Sequence, residues 1–152
     1  MIGAKIGRPD VPVVGFSGDG AFGIAVNELT AIGREEWPAV TQIVFRNYQW
    51  GAEKRNSTLW YDDNFVGTEL DTQVSYAGIA KACGLQGVVA KTMGELTEAL
   101  RTAIKDQMEN GKTTLIEAMI NQELGEPFRR DAMKKPVAIA GISVSDMQEQ
   151  AV

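Results

Sequence analysis

Residues 13–29 read "VVGFSGDGAFGIAVNEL". An apolar run leads into a turn of glycines, and beyond the turn the apolar residues recur at helical rather than alternating spacing. The stretch therefore reads as strand, tight turn, helix. Within it, Gly18-Asp19-Gly20-Ala21-Phe22-Gly23 has the spacing G-x-G-x-x-G. That spacing lets a strand turn sharply into a helix and aim the helix's first N–H groups at a pyrophosphate. Its second residue, however, is an aspartate, a carboxylate where the phosphate should sit.

Working outward, the first strand is expected over Val11 to Phe16, and Phe22, Ala25, Leu29 and Ile32 fall on one face of the helix that follows. Pro38 blocks further helix, and Val40 to Phe45 ("VTQIVF") reads as a second buried strand. A β-α-β unit places its strands in parallel. Residues 46–71 are polar, aromatic and poorly periodic, with at most a short helix after Gly51; connections this long are usually functional. Ser75 to Cys83 reads as a helix and "GVVAK" (87–91) as a third strand. Thr92-Met93-Gly94-Glu95 is a capping box opening a helix to Glu109, and Thr113 to Ile120 is a fourth strand. Alternating strands and helices predict a doubly wound α/β fold, a mostly parallel sheet with helices on both faces, with ligands at the carboxyl ends of the strands. Both Gly18–Gly20 and Arg46–Gly51 fall at such ends.

The 152 residues suit one domain, expected over residues 1–135 with a C-terminal tail at 136–152. Fifteen basic and twenty acidic residues leave a net charge of −5, with the basic ones scattered, which argues against nucleic-acid or membrane-surface binding. There is no histidine, which removes Ser-His-Asp and Cys-His nucleophile systems and His-ligated zinc from anything the chain does alone. The single cysteine, Cys83, sits at helical spacing among alanines and is expected to be buried and inert. With no signal-peptide pattern and no apolar run of membrane length, a cytoplasmic protein is expected.

Phosphate and carboxylate a few ångströms apart repel strongly when partly desolvated, and a divalent cation between them reverses the sign. Mg²⁺ suits the position because it takes hard oxygen ligands and is commonly held by one or two side chains plus substrate phosphates. Asp19 is thus expected to bind phosphate through a metal. The neighbouring strand end offers the amide oxygen of Asn47, and a loop turning through Tyr48 and Gln49 could add a backbone carbonyl. Gly18 and Gly20 allow close backbone approach, and the N–H groups of Gly20 and Ala21 face the anion. The rival is a dinucleotide site, in which Arg46 would meet the extra phosphate of NADP; that scheme leaves Asp19 unexplained and lacks the carboxylate that holds the ribose.

Gly18-Asp19-Gly20 followed by Asn47, 47 − 19 = 28 positions past the aspartate, resembles the diphosphate- and metal-binding motif of thiamine-diphosphate enzymes. The resemblance implies Mg²⁺ ligands at Asp19, the Asn47 side chain and the Gln49 main-chain carbonyl, with Trp50 and Gly51 completing the cofactor-binding set. These enzymes usually carry two asparagines in a row, and here Arg46 replaces the first. Over nearly the whole chain, including "TTLIEAMINQELGEPFRRDAMKKP", the wording is similar to the sulfoacetaldehyde acetyltransferase family. That family cleaves sulfoacetaldehyde with phosphate to acetyl phosphate and sulfite, using thiamine diphosphate and Mg²⁺.

By the same resemblance only the C-terminal diphosphate-binding domain is represented, with "MIGAKIGRPD" as the middle of a helix leading to the motif strand. The activating glutamate would lie in a pyrimidine-binding domain of the same or a neighbouring chain, within a homo-oligomer. No catalytic residue is therefore assigned here, and Glu28, inside the helix after the turn, is read as structural. Two alternatives stay open: a small subunit of another thiamine-diphosphate enzyme, acetolactate-synthase-like or sulfopyruvate-decarboxylase-like, or a non-catalytic nucleotide-binding module. Tyr48, Trp50, Trp60 and Tyr61 either roof the site or pack against the sheet. Lys54 and Arg55, and the cluster Arg129, Arg130, Lys134 and Lys135, either meet an anion or lie solvated on the surface.

Overall fold

The glycine turn joins β1 (Val14–Gly18) directly to α2 (Asp19–Ile24), with Gly18 as the extended cap at φ −74° and ψ 161°. The computed structural model describes residues 1–34 and 36–123; the expected 136–152 tail and the basic cluster at 129–135 lie outside the described residues. A short helix, α1 (Ile2–Gly7), precedes β1, as "MIGAKIGRPD" suggests. β1 starts later than the expected Val11 because the backbone before it is engaged elsewhere. Lys5 Nζ donates to Val11 O at 2.8 Å, and Gln107 holds Val13 from both sides, accepting from its N–H (2.7 Å) and donating to its carbonyl (2.9 Å).

The other strands are β2 (Thr41–Arg46), β3 (Gln86–Ala90) and β4 (Thr114–Met119), each within one residue of expectation at either end. All pair in parallel in the order β1-β2-β4-β3. Alternate residues of a strand point to opposite faces. Val44 and Leu115 pack on one face with Leu29, Tyr76, Ala77 and Ala80, whereas Ile43 and Ile116 pack on the other with Ala90, Ala103 and Ala118. The first group brings in α3 (Leu29–Ile32) and α5 (Tyr76–Ala82), the second α6 (Met93–Glu109). Helices thus cover both faces, as the doubly wound reading requires.

Two helix starts follow their caps. Ser75 Oγ accepts from Gly78 N at 3.1 Å to open α5, and the Thr92/Glu95 capping box is complete at the head of α6. Cys83, expected to be buried, is half-buried; it caps the end of α5, where the chain leaves through Gly84 at φ +81°. The helix after the glycine turn is not continuous. It breaks at Ala25 (φ −112°, ψ 18°), passes through a 3₁₀ turn at Val26–Glu28 and resumes as α3. The break rotates the inward face, so that Val26 packs with Phe22, Leu29 and Ile32 while Ala25 is exposed. Glu28 lies exposed in that turn.

Residues 46–71 are more ordered than their composition suggests. Tyr48–Trp50 run antiparallel to Thr68–Leu70 through a Gln49–Glu69 bridge, with Leu70 N donating to Tyr48 O (2.8 Å) and Trp50 N to Thr68 O (2.7 Å). The short helix expected after Gly51 is α4 (Gly51–Trp60). The chain divides into two compact units, one of Met1–Trp50 with Gly67–Gln122 and another containing Gly51–Val66. Among the described residues no helix is long and apolar enough to cross a membrane.

Candidate functional site at the ends of β1 and β2

Parallel pairing sets Gly18 beside Phe45, so the turn after β1 and the loop after β2 leave the sheet side by side. Asp19, first residue of α2, is 2% exposed. Its Oδ2 accepts from Tyr48 N (2.7 Å), Asn47 N (3.1 Å) and Arg46 Nη1 (3.3 Å), and its Oδ1 from Gly20 N (2.9 Å). Two of those donors are aimed by an unusual backbone, since Tyr48 sits at φ +61°, a left-handed conformation that non-glycine residues adopt only when their surroundings impose it.

The Asn47 side-chain oxygen accepts from Gln49 N (3.3 Å) and faces two further oxygens, Asp19 Oδ1 at 3.3 Å and the Gln49 carbonyl at 3.2 Å. Turned over, the same amide would donate to both and accept from Gln49 Nε2 at 3.3 Å. The hydrogen bonds favour nitrogen inward, where the loop satisfies itself; with oxygen inward three acceptors would meet with no proton between them, an arrangement that only a small hard cation held there would satisfy. The donor set is one carboxylate, one amide oxygen and one main-chain carbonyl, which fits Mg²⁺ and does not suit a soft metal. No group of three His, Cys, Asp or Glu side chains that could hold a metal occurs among the described residues.

Around this trio, the expected glycines divide by role. A Cβ on Gly18 would meet nothing within 4 Å, leaving the turn open for a ligand, whereas a Cβ on Gly20 would come within 2.8 Å of the Trp50 ring. Ala21 is exposed at the start of α2. Trp50 also lines a cavity of about 370 Å³ with Gly20, Gly23, Ile24, Val74 and Tyr76. A larger cavity of about 780 Å³ lies between β3 and α6, but it holds neither the glycine turn nor the Asp19 network, so it is not the candidate site.

The rival dinucleotide scheme needs Arg46 to meet a phosphate of NADP, and the burial of Arg46 contradicts it. Arg46 is 1% exposed, with its guanidinium 4.2 Å from the Tyr48 ring centroid and 4.9 Å from that of Tyr76. Nη2 donates to Asp71 O (2.7 Å) and Val74 O (2.9 Å), and Nε lies 3.4 Å from Glu117 Oε1. Glu117 is itself buried and accepts from Ser75 Oγ (3.0 Å) and Ala77 N (3.1 Å) through Oε2. Tyr76 donates its hydroxyl to Asp19 O at 3.0 Å, and burial pushes its phenol above the ordinary range, keeping it a donor. Glu117 and Tyr76 are functional neighbours that the local sequence does not single out, and the inward role of Arg46 differs from the ligand contact its sequence position suggests. One signal was available: a glutamate inside the apolar run "TLIEAM" must find a buried partner.

The aromatic residues divide as well. Tyr48 and Trp50 belong to the site, whereas Tyr61 is exposed and Trp60 half-buried at the end of α4. Gly51 opens α4. Within its own unit, Lys54 lies over the Phe65 ring at 5.2 Å from the centroid.

Residues 1–118 match the family model described as thiamine pyrophosphate enzyme, C-terminal TPP binding domain. The chain is 84% identical over its whole length to a sulfoacetaldehyde acetyltransferase of Roseovarius nubinhibens, and 79% identical over 99% of its length to one of Rhodobacter capsulatus. It spans about a quarter of the length of each, 25% in both cases. Among solved structures, benzoylformate decarboxylase from Polynucleobacter necessarius superposes with a TM-score of 0.67 at 27% identity, over 81% of this chain and 22% of that one.

Proposed function

Because this chain belongs to the thiamine pyrophosphate enzymes, matching their C-terminal TPP-binding domain, we propose that it holds the diphosphate of thiamine diphosphate through Mg²⁺ as part of a sulfoacetaldehyde acetyltransferase. Asp19 Oδ1, Asn47 Oδ1 and the Gln49 carbonyl would hold the metal, leaving roughly three of its six positions for phosphate oxygens and water. The N–H of Ala21 and the open side of Gly18 would receive the diphosphate, with Trp50 beside it, while the Gly20 N–H is already taken by Asp19 Oδ1. When bound, the cofactor supplies the carbanion chemistry. The protein's share is orientation and charge.

The whole enzyme would convert sulfoacetaldehyde and phosphate to acetyl phosphate and sulfite in the cytoplasm. It would need a pyrimidine-binding domain, from the same or a neighbouring chain of a homo-oligomer, to complete the cofactor site. The domain would run from residue 1 to 135. High identity to proteins of that name supports this substrate class over the acetolactate-synthase-like alternative.

The observation that carries the proposal is that Asp19 Oδ1 (3.3 Å) and the Gln49 carbonyl oxygen (3.2 Å) converge on one and the same terminus of the Asn47 side-chain amide. Titration calorimetry with thiamine diphosphate, with and without Mg²⁺, tests it on wild type and Asp19→Asn. Binding is expected only with the metal and only in wild type. Cofactor affinity indifferent to both would end the metal-bridge account.

A further inference from the structure

A cation beside a buried arginine is electrostatically awkward, since the two repel where little water screens them. Arg46 Nη1 nevertheless bonds the carboxylate whose other oxygen faces the Asn47 side-chain amide. The surroundings resolve the conflict. Val44 of β2 pairs in register with Glu117 of β4, and because side chains two apart share a face, Arg46 emerges on the side where Glu117 points. Glu117 Oε1 lies 3.4 Å from Arg46 Nε. The two buried charges cancel, and Asp19 keeps a net negative charge to offer a cation.

The guanidinium also fixes where that charge points. It touches Asp19, the carbonyls of Asp71 and Val74, and Glu117, and it is clasped between the rings of Tyr48 and Tyr76. Asp19 Oδ2 is saturated by Arg46, Asn47 N and Tyr48 N, so the carboxylate cannot rotate. Oδ1 is the oxygen left turned toward Asn47. A planar fork with donors in fixed directions can bridge these groups at once, and a lysine ammonium cannot.

We propose that Arg46 is a positioning residue for the divalent cation of this site, and that Glu117, by cancelling its charge, lets the cation stand close to it. The proposal rests on the metal-site reading given above, and its test separates the two. Mn²⁺ binding is followed by electron paramagnetic resonance of the free ion in the natural protein carrying this chain, with thiamine diphosphate at fixed concentration. Wild type, Arg46→Lys and Glu117→Gln are compared well below their melting temperatures, with circular dichroism as a check on folding.

Arg46→Lys keeps the charge and loses the fork, and is expected to weaken Mn²⁺ binding by about 10- to 100-fold, the range for a residue that orients a metal ligand. Glu117→Gln leaves Arg46 uncancelled and is expected to weaken binding in the same direction. Wild-type affinity in Arg46→Lys overturns the positioning role while leaving the metal site intact; should that variant not fold, wild-type affinity in Glu117→Gln does so. A wild type that binds no Mn²⁺ removes the metal reading and this proposal with it. A merely structural Arg46 would lower the melting temperature and leave the dissociation constant unmoved.

Discussion

Replacing Asp19 by alanine should destabilise the fold even when no metal is present, because its carboxylate is the acceptor on which the two strand ends converge. The substitution strips the partner from four donors: Gly20 N, Asn47 N, Tyr48 N and Arg46 Nη1. Hydrogen bonds to a charged group contribute about 1.5–3 kcal/mol each, so a simple sum would approach about 10 kcal/mol. That sum overstates the loss. Water can enter the space left by the carboxylate, and Arg46 keeps Glu117 and the carbonyls of Asp71 and Val74. Breaking one side of a buried ion pair costs about 3–5 kcal/mol, and the lower end fits an arginine that retains three partners. Equilibrium urea denaturation in chelator-containing buffer measures this directly, as a fall in midpoint at unchanged slope. A loss below about 1 kcal/mol would mean that Asp19 is solvated rather than a buried hub, and the site geometry derived above would be wrong.

Three further outcomes are expected. Gly87→Ala places a Cβ 2.1 Å from Ala77 O and 2.8 Å from its carbonyl carbon, backbone atoms that cannot rotate away; forcing α5 off β3 should cost about 3 kcal/mol or more, seen as a large drop in melting temperature. Thr92→Ala removes the hydroxyl that accepts from Glu95 N, leaving the half of the capping box in which Glu95 accepts from the residue-92 N–H, and should cost about 1 kcal/mol by the same assay, with no effect on cofactor binding because α6 starts away from the site. Asp106 has its carboxyl held below the ordinary range, chiefly by the Asn110 amide and then by Gln86. A carboxyl lowered in the folded state adds stability above its unfolded value and loses it as pH falls through the folded one, so Asp106→Asn should flatten the acid limb of a stability–pH profile.

Much of the candidate site's geometry is legible in local sequence because each of its parts lies at one strand end. The glycine turn and Asp19 sit at one strand end, Asn47 and Gln49 at the next, and parallel pairing of β1 with β2 brings those ends together. Strand–turn–helix chemistry places each part without knowledge of the rest of the fold. The break at Ala25 is not legible, because Val26 and Ala25 are both apolar and only packing against the core cluster decides which turns inward. Nor is the order of β3 and β4: both runs are apolar, and only their burial in the sheet makes β4 central and β3 an edge.

The roles of Arg46 and Glu117 show the same divide most sharply. They are 71 positions apart (117 − 46 = 71), and each alone looks like a charge at an awkward place in an apolar strand. Strand periodicity, glycine spacing and the Asp19–Asn47 interval are local properties, carried by the order of residues along the chain. Charge compensation is not local: it exists only once β4 inserts beside β2 and turns Glu117 toward Arg46, because a buried charge is tolerable only where another segment brings its partner.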